Sequence, residues 1–168
     1  ACPRRWSRGY SRHQRGDSGA VYATTTFAEL NVDADRIARG LAEWGVPQGT
    51  RLALLVRPGI EFVTLVFALL RAGMVIVLVD PGLGRRNLVR CLSEADPEGF
   101  VAIGVAQAAR CWWRQQFPRA RWNVTVGRRW FWGGLTLDEV RARGYGTRSV
   151  PATMADDAAA IIFTSGST

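Results

Sequence analysis

Lysine is absent from this sequence: all 22 basic residues are arginine, and set against 14 acidic ones they leave a net charge of +8. Histidine occurs once, at His13. The three cysteines, Cys2, Cys91 and Cys111, are widely spaced and form no C-x-x-C pair. That set gives little support to a zinc site or a disulfide framework, and reduced thiols are expected, with Cys91 and Cys111 buried and inert on helical segments. A membrane span needs about 20 apolar residues with few or no charges. The longest apolar run, Ile60–Val79, is interrupted by Glu61, Arg71 and Gly73, so no transmembrane segment is expected. No apolar core follows the early arginines, so no secretory signal is expected either, and the expected location is cytoplasmic.

What is present is an ordinary globular composition. The 168 residues are 48% apolar, with mean hydropathy near zero, enough for one domain with a real core. Part of the basic excess sits in Arg4, Arg5, Arg8, Arg12 and Arg15. Residues 1–20 lack periodicity and read as a basic, irregular loop, with residues 21–168 carrying the fold. A basic surface attracts polyanions, so a basic α/β nucleic-acid-binding module is one reading of the charge.

From Val21 onward, the pattern alternates. Val21–Thr26 is strand-prone. Thr26 can cap a helix from Phe27, with Glu29 in its first turn and Phe27, Leu30, Ile37, Leu41 and Trp44 as its stripe, stopping at Gly45 and Pro47. Arg51–Val56 reads as a strand. Pro58–Ala72 reads as a helix that buries Ile60, Val63, Phe67 and Leu70. Met74–Val79 is a β-branched run suited to a strand covered on both faces. Asp80-Pro81-Gly82 ends it, and a helix over Arg85–Ala95 follows. Gly99–Ile103 and Trp122–Val126 read as strands around a helix at Val105–Gln116. Arg141–Met154 reads as a linker or surface loop before a last strand at Ala158–Phe163. The spacings fit βαβ crossovers, so the fold class is α/β with a largely parallel sheet and flanking helices.

The last strand runs into Thr164-Ser165-Gly166-Ser167-Thr168. Small hydroxyl residues around one glycine can aim backbone N–H groups and hydroxyls at an anion, and Gly166 permits close approach. The pattern is not G-x-x-x-x-G-K-[ST]. By itself such a string is more often a polar tail or linker.

Ile161-Ile162-Phe163-Thr164-Ser165-Gly166-Ser167-Thr168 resembles the start of the phosphate-binding signature of adenylate-forming enzymes, whose continuation falls beyond Thr168. Two further segments resemble that family in the right order. Thr25-Thr26-Phe27-Ala28-Glu29-Leu30 is similar to its T-[YF]-x-E-L motif. Leu70–Pro81 is similar to L-K-A-G-x-x-x-x-P-[LI]-[DN]-P, with Arg71 where Lys is common and Leu78 where Pro is common. The resemblance runs from about Val21 to Thr168. Asp80–Leu88 and Val126–Gly134 look like a narrower group, the β-lactone synthetases of bacterial long-chain olefin biosynthesis.

The resemblance implies a partial AMP-binding domain, truncated in its phosphate loop, from an ATP-dependent acid-activating ligase. Its substrate would be a long-chain β-hydroxy fatty acid, closed to a β-lactone; a fatty-acyl-CoA ligase of the same superfamily is the alternative. Thr164, Ser165, Gly166, Ser167 and Thr168 would contact ATP. The Mg2+ ligand and the catalytic residues would lie beyond Thr168, and this chain alone would be inactive. Other olefin-biosynthesis enzymes are the implied protein partners, and nucleic acid is not.

The remaining candidates read as structural. Asp80 shapes a turn with Pro81. Asp156 and Asp157 sit on a solvated surface before the last strand. His13 has no catalytic assignment. Arg85 and Arg86 stand near a helix start, which is unfavourable for cations, and read as solvent-exposed or as contacting a ligand. Arg128-Arg129-Trp130-Phe131-Trp132 and Trp112-Trp113 read as aromatics packing a sheet edge with arginines reaching outward.

Overall fold

A computed structural model of the chain describes residues 10–14, 21–146, 149–150 and 152–164. Strand β1 (Tyr10–Gln14) pairs antiparallel with β2 (Val21–Thr25). The expected loop over residues 1–20 is therefore corrected at Tyr10–Gln14, where cross-strand pairing supplies an order that residue periodicity does not signal.

Thr26 then starts α1 (Phe27–Trp44) through a reciprocal capping box. Glu29 N donates to Thr26 Oγ1 at 3.2 Å, and Thr26 N donates to Glu29 Oε2 at 2.8 Å. This satisfies two otherwise orphaned donors. Ala34, Ile37, Ala38 and Leu41 form the buried stripe, and Gly45 ends the helix at φ 87°, a left-handed conformation that suits glycine.

The remaining elements are β3 (Arg51–Leu55), α2 (Ile60–Arg71), β4 (Val75–Val79), a 3-10 turn at Pro81–Leu83, α3 (Gly84–Ala95), β5 (Gly99–Ile103), α4 (Gly104–Trp112), a 3-10 turn at Arg114–Gln116, β6 (Trp122–Val126), β7 (Leu135–Thr136), α5 (Leu137–Arg143) and β8 (Ala160–Phe163). Strands β3 to β8 form one six-stranded sheet in the order β7-β6-β5-β3-β4-β8, with every pairing parallel.

Strand residues alternate between two cores, as a pleated strand requires. Leu52, Leu54, Ile76, Val101 and Val124 face the first core with Ile37, Leu65, Leu69 and Val140 of α1, α2 and α5. Ala53, Val77, Phe100 and Ala102 face the second core with Val89 and Leu92 of α3 and, beside α4, Phe117. Neighbouring strands β3 and β5 thus send their chains to opposite faces, β3 into α2 and β5 into α4.

Helix α2 corrects the expected face. Thr64, Leu65, Ala68 and Leu69 are buried, while Phe67 and Leu70 are 50% and 36% exposed. The helix is apolar almost all round, so its pattern does not select a stripe; packing against α1 and the sheet does. The expected linker over 141–154 is also too long, because Arg141–Arg143 close α5. That helix opens with a second capping box, between Thr136 and Glu139. The T-x-x-E spacing is the sequence signal that would have found it.

Candidate functional site: the carboxyl edge of the sheet

Strand β8 lies at the sheet edge beside β4, with Phe163 opposite Val79. Asp80 N donates to Phe163 O at 3.1 Å, so both strands end level. Ile161 and Phe163 pack against the second core, and Ile162 points out at 62% exposed. Thr164 follows directly and is exposed. The fold therefore brings Thr164 to the carboxyl edge of a parallel sheet, where open α/β sheets bind ligands. Ser165, Gly166, Ser167 and Thr168 lie outside the described residues.

Beside Thr164, Asp80 shapes the strand-end turn: Gly82 N donates to its Oδ1 at 2.8 Å. Arg86 is exposed on the first turn of α3. Asp157 holds the approach to β8, its Oδ2 accepting from Met154 N at 2.8 Å and from Gln48 Nε2 at 3.4 Å. Among the described residues, no group of three His, Cys, Asp or Glu side chains could hold a metal ion. Among the described residues, no helix is long and apolar enough to cross a membrane.

The edge also opens into an apolar cavity of about 540 Å³. It lies over the ends of β3, β4 and β5, bounded by α2, α3 and α4, with Leu55, Val79, Leu92, Ile103 and Ala106 among its walls. Among the described residues, Arg57 and Arg110 are the charged ones in its lining. Sequence reasoning did not find this site, because its walls come from elements far apart in the chain.

The aromatic segment packs as expected at Trp132, which is buried and donates from Nε1 to Thr125 Oγ1 at 2.9 Å. Trp130 and Phe131 pack against its ring but stay largely exposed. Arg129 donates to Gly134 O at 2.6 Å and pairs with Glu139. Trp112 is exposed, Cys91 is buried, and Cys111 is only half-buried, which corrects the expectation of two buried thiols.

The architecture defines the class first: a parallel six-stranded α/β sheet with Thr164 following its edge strand at the carboxyl end. A family model described as AMP-binding enzyme matches residues 10–168. The chain belongs to the AMP-binding enzyme family, which comprises adenylate-forming enzymes. It is 51% identical over 157 residues to the olefin beta-lactone synthetase of Xanthomonas campestris pv. campestris, covering 92% of this chain and 28% of that protein. It is 46% identical over 159 residues to the olefin beta-lactone synthetase of Stenotrophomonas maltophilia, covering 94% of this chain and 29% of that protein. Among solved structures, the anthranilate CoA ligase AuaEII in complex with anthranoyl-AMP superposes with a TM-score of 0.73 at 19% identity, over 87% of this chain and 28% of that one. That likeness speaks for the fold. The chain spans less than a third of the length of these relatives.

Proposed function

We propose that this chain is part of an ATP-dependent, carboxylic-acid-activating ligase that forms an acyl-adenylate from a long-chain β-hydroxy acid and closes it to a β-lactone. The observation that carries the reading is β8, which runs straight into Thr164 at the carboxyl edge of a parallel sheet. The names of the two relatives support the lactone step.

In this reading, backbone N–H groups and hydroxyls from Thr164 to Thr168 hold the β- and γ-phosphates. ATP supplies an activated α-phosphorus and, with Mg2+, a diphosphate that leaves. A substrate carboxylate oxygen bonds to the α-phosphorus as the bridge to the β-phosphate breaks, releasing pyrophosphate. The substrate's β-hydroxyl oxygen then attacks the acyl carbon, a base takes the hydroxyl proton, and AMP departs with the electrons of the broken C–O bond. The loop contributes positioning and charge stabilisation, the main sources of catalysis in such transfers. The catalytic and Mg2+-holding residues lie beyond Thr168, the enzyme is cytoplasmic, and it works beside other olefin-biosynthesis enzymes. The 168-residue chain alone is inactive.

The test is release of pyrophosphate by the full-length protein, with mass-spectrometric detection of the lactone. Release that needs both Mg2+ and a β-hydroxy acid, and that falls about tenfold or more in Thr164→Val, is the expected result. Release followed by transfer to coenzyme A would replace the lactone step with a CoA-ligase step. No acid-dependent release, together with salt-steep binding to generic DNA or RNA, would replace the whole reading with a nucleic-acid module.

A further inference from the structure

Between Glu98 and Asp138 the sequence holds no acidic residue, yet it carries six arginines and five of the seven tryptophans. The fold divides those tryptophans. Trp122 sets its ring edge against Trp44 beside the first core, Trp113 packs against the second core, and Trp132 is buried. Trp112 and Trp130 instead face solvent, at 85% and 66% exposed.

Helix α4 and the turn after β6 bring the outward groups together. A Cβ at Gly104 would stand 3.5 Å from the Trp132 ring and 3.7 Å from the Arg128 carbonyl oxygen, so the start of α4 sits on the Trp132 indole. Trp130 stacks on the same indole with ring centroids 6.3 Å apart, and Phe131 meets it edge-on at 5.1 Å. Val105, next along the helix, is 77% exposed. Val105, Ala108 and Trp112 follow at i, i+3 and i+7 on one face of α4, with the fully buried Gln107 on the other side. An apolar stripe thus runs from Trp130 and Phe131 along the outside of α4 to Trp112. Its residues line neither the crevice nor the cavity beside it.

Both ends of the stripe are cationic. Arg128 precedes Trp130 and Arg114 follows Trp112; both are exposed, and among the described residues neither has an ion pair. Arg119 and Arg129 differ, being taken up by Asp96 and Glu98 and by Glu139. Exposed indoles beside free guanidiniums, with no acid among them, complement the boundary of an anionic bilayer. Tryptophan and phenylalanine settle at the headgroup level, and arginine is drawn to anionic lipid. A nucleic-acid strand would use the rings and the cations, but not the aliphatic Val105 and Ala108 between them.

We infer that the outer face of α4, from Phe131 to Trp112, docks the protein peripherally on the surface of an anionic phospholipid bilayer. The inference stands apart from the proposed reaction, because it needs neither ATP nor turnover.

The experiment is flotation of the full-length protein with vesicles, without nucleotide. Vesicles of phosphatidylcholine and phosphatidylglycerol in equal parts bind it about tenfold or more tightly than phosphatidylcholine alone, and added salt shrinks the difference. Trp112→Ser together with Phe131→Ser weakens binding to the mixed vesicles about tenfold or more. Arg114→Gln together with Arg128→Gln removes most of the preference for anionic lipid. Val105→Glu is the second variant should the double serine variant not fold, with circular dichroism as the check. Its carboxylate suits the first turn of α4 but repels the bilayer. Phe67→Ser, exposed on α2 over the opposite face of the sheet, leaves binding unchanged. Failure to bind the mixed vesicles overturns the inference. So does equal binding by the native protein and a folded stripe variant, or an equal loss in Phe67→Ser. Binding of generic DNA without binding of vesicles assigns the face to nucleic acid and overturns it too. Each outcome is read whether or not the protein releases pyrophosphate.

Discussion

The Trp132 indole donates to the hydroxyl of Thr125, and Thr125 is wholly buried. Trp132→Phe keeps most of the ring packing but strands that hydroxyl, so a loss of about 1–3 kcal/mol is expected in chemical denaturation. Thr125→Val in the same background should recover part of the loss, a coupling that a double-mutant cycle reads directly. Two carboxylates give the stability a pH dependence. Glu29 and Glu139 are both held below the usual glutamate range, first by the backbone N–H of Thr26 and of Thr136 respectively. A lowered folded value means each carboxylate stabilises the fold above its unfolded pKa, about 4.3, and that the contribution disappears as pH falls through the lowered value. Replacing both with Gln should flatten the acid limb of a melting-temperature profile and leave its neutral portion nearly parallel to the native one. An unchanged acid limb would count against the capping carboxylates as its source.

At the scale of elements, α1 is the hub of the first core, packed on both α2 and α5. Its approach to α5 is close enough that a Cβ at Gly40 would overlap the Val140 carbonyl oxygen. Gly40→Ala must therefore push the helices apart, and about 1–3 kcal/mol of destabilisation is expected despite the better helix propensity of alanine. The same shift would strain the Arg141 fork on Asp33, whose two bonds are 3.0 and 2.8 Å long. Hydrogen exchange should show α5 losing protection first. The elements themselves were legible where composition and period agree. Gly99–Ile103 and Trp122–Val126 match their expected bounds, and the Thr26 cap and Gly45 stop are where residue chemistry puts them. The reading failed for the face of α2, for β7 and for most of α5. An apolar cylinder has no preferred stripe, and a two-residue strand has no period.

For the whole molecule, the sheet edges decide behaviour in solution. Strand β8 has β4 as its only described neighbour, and Ile162 projects outward at 62% exposed. An apolar edge strand is a template for further pairing. The 168-residue chain should self-associate in sedimentation velocity, and Ile162→Arg should shift it toward monomer; a monomeric native chain at high concentration would contradict this. The parallel sheet and the order of the helices were determined by the sequence alone, because local period and caps are properties of neighbours along the chain. Which strands adjoin, and hence the divergence of β3 and β5, was decided by tertiary structure. So was the crevice that Arg57 and Arg110 line, because burial joins surfaces from β3, β4, β5, α2, α3 and α4 that no local pattern connects.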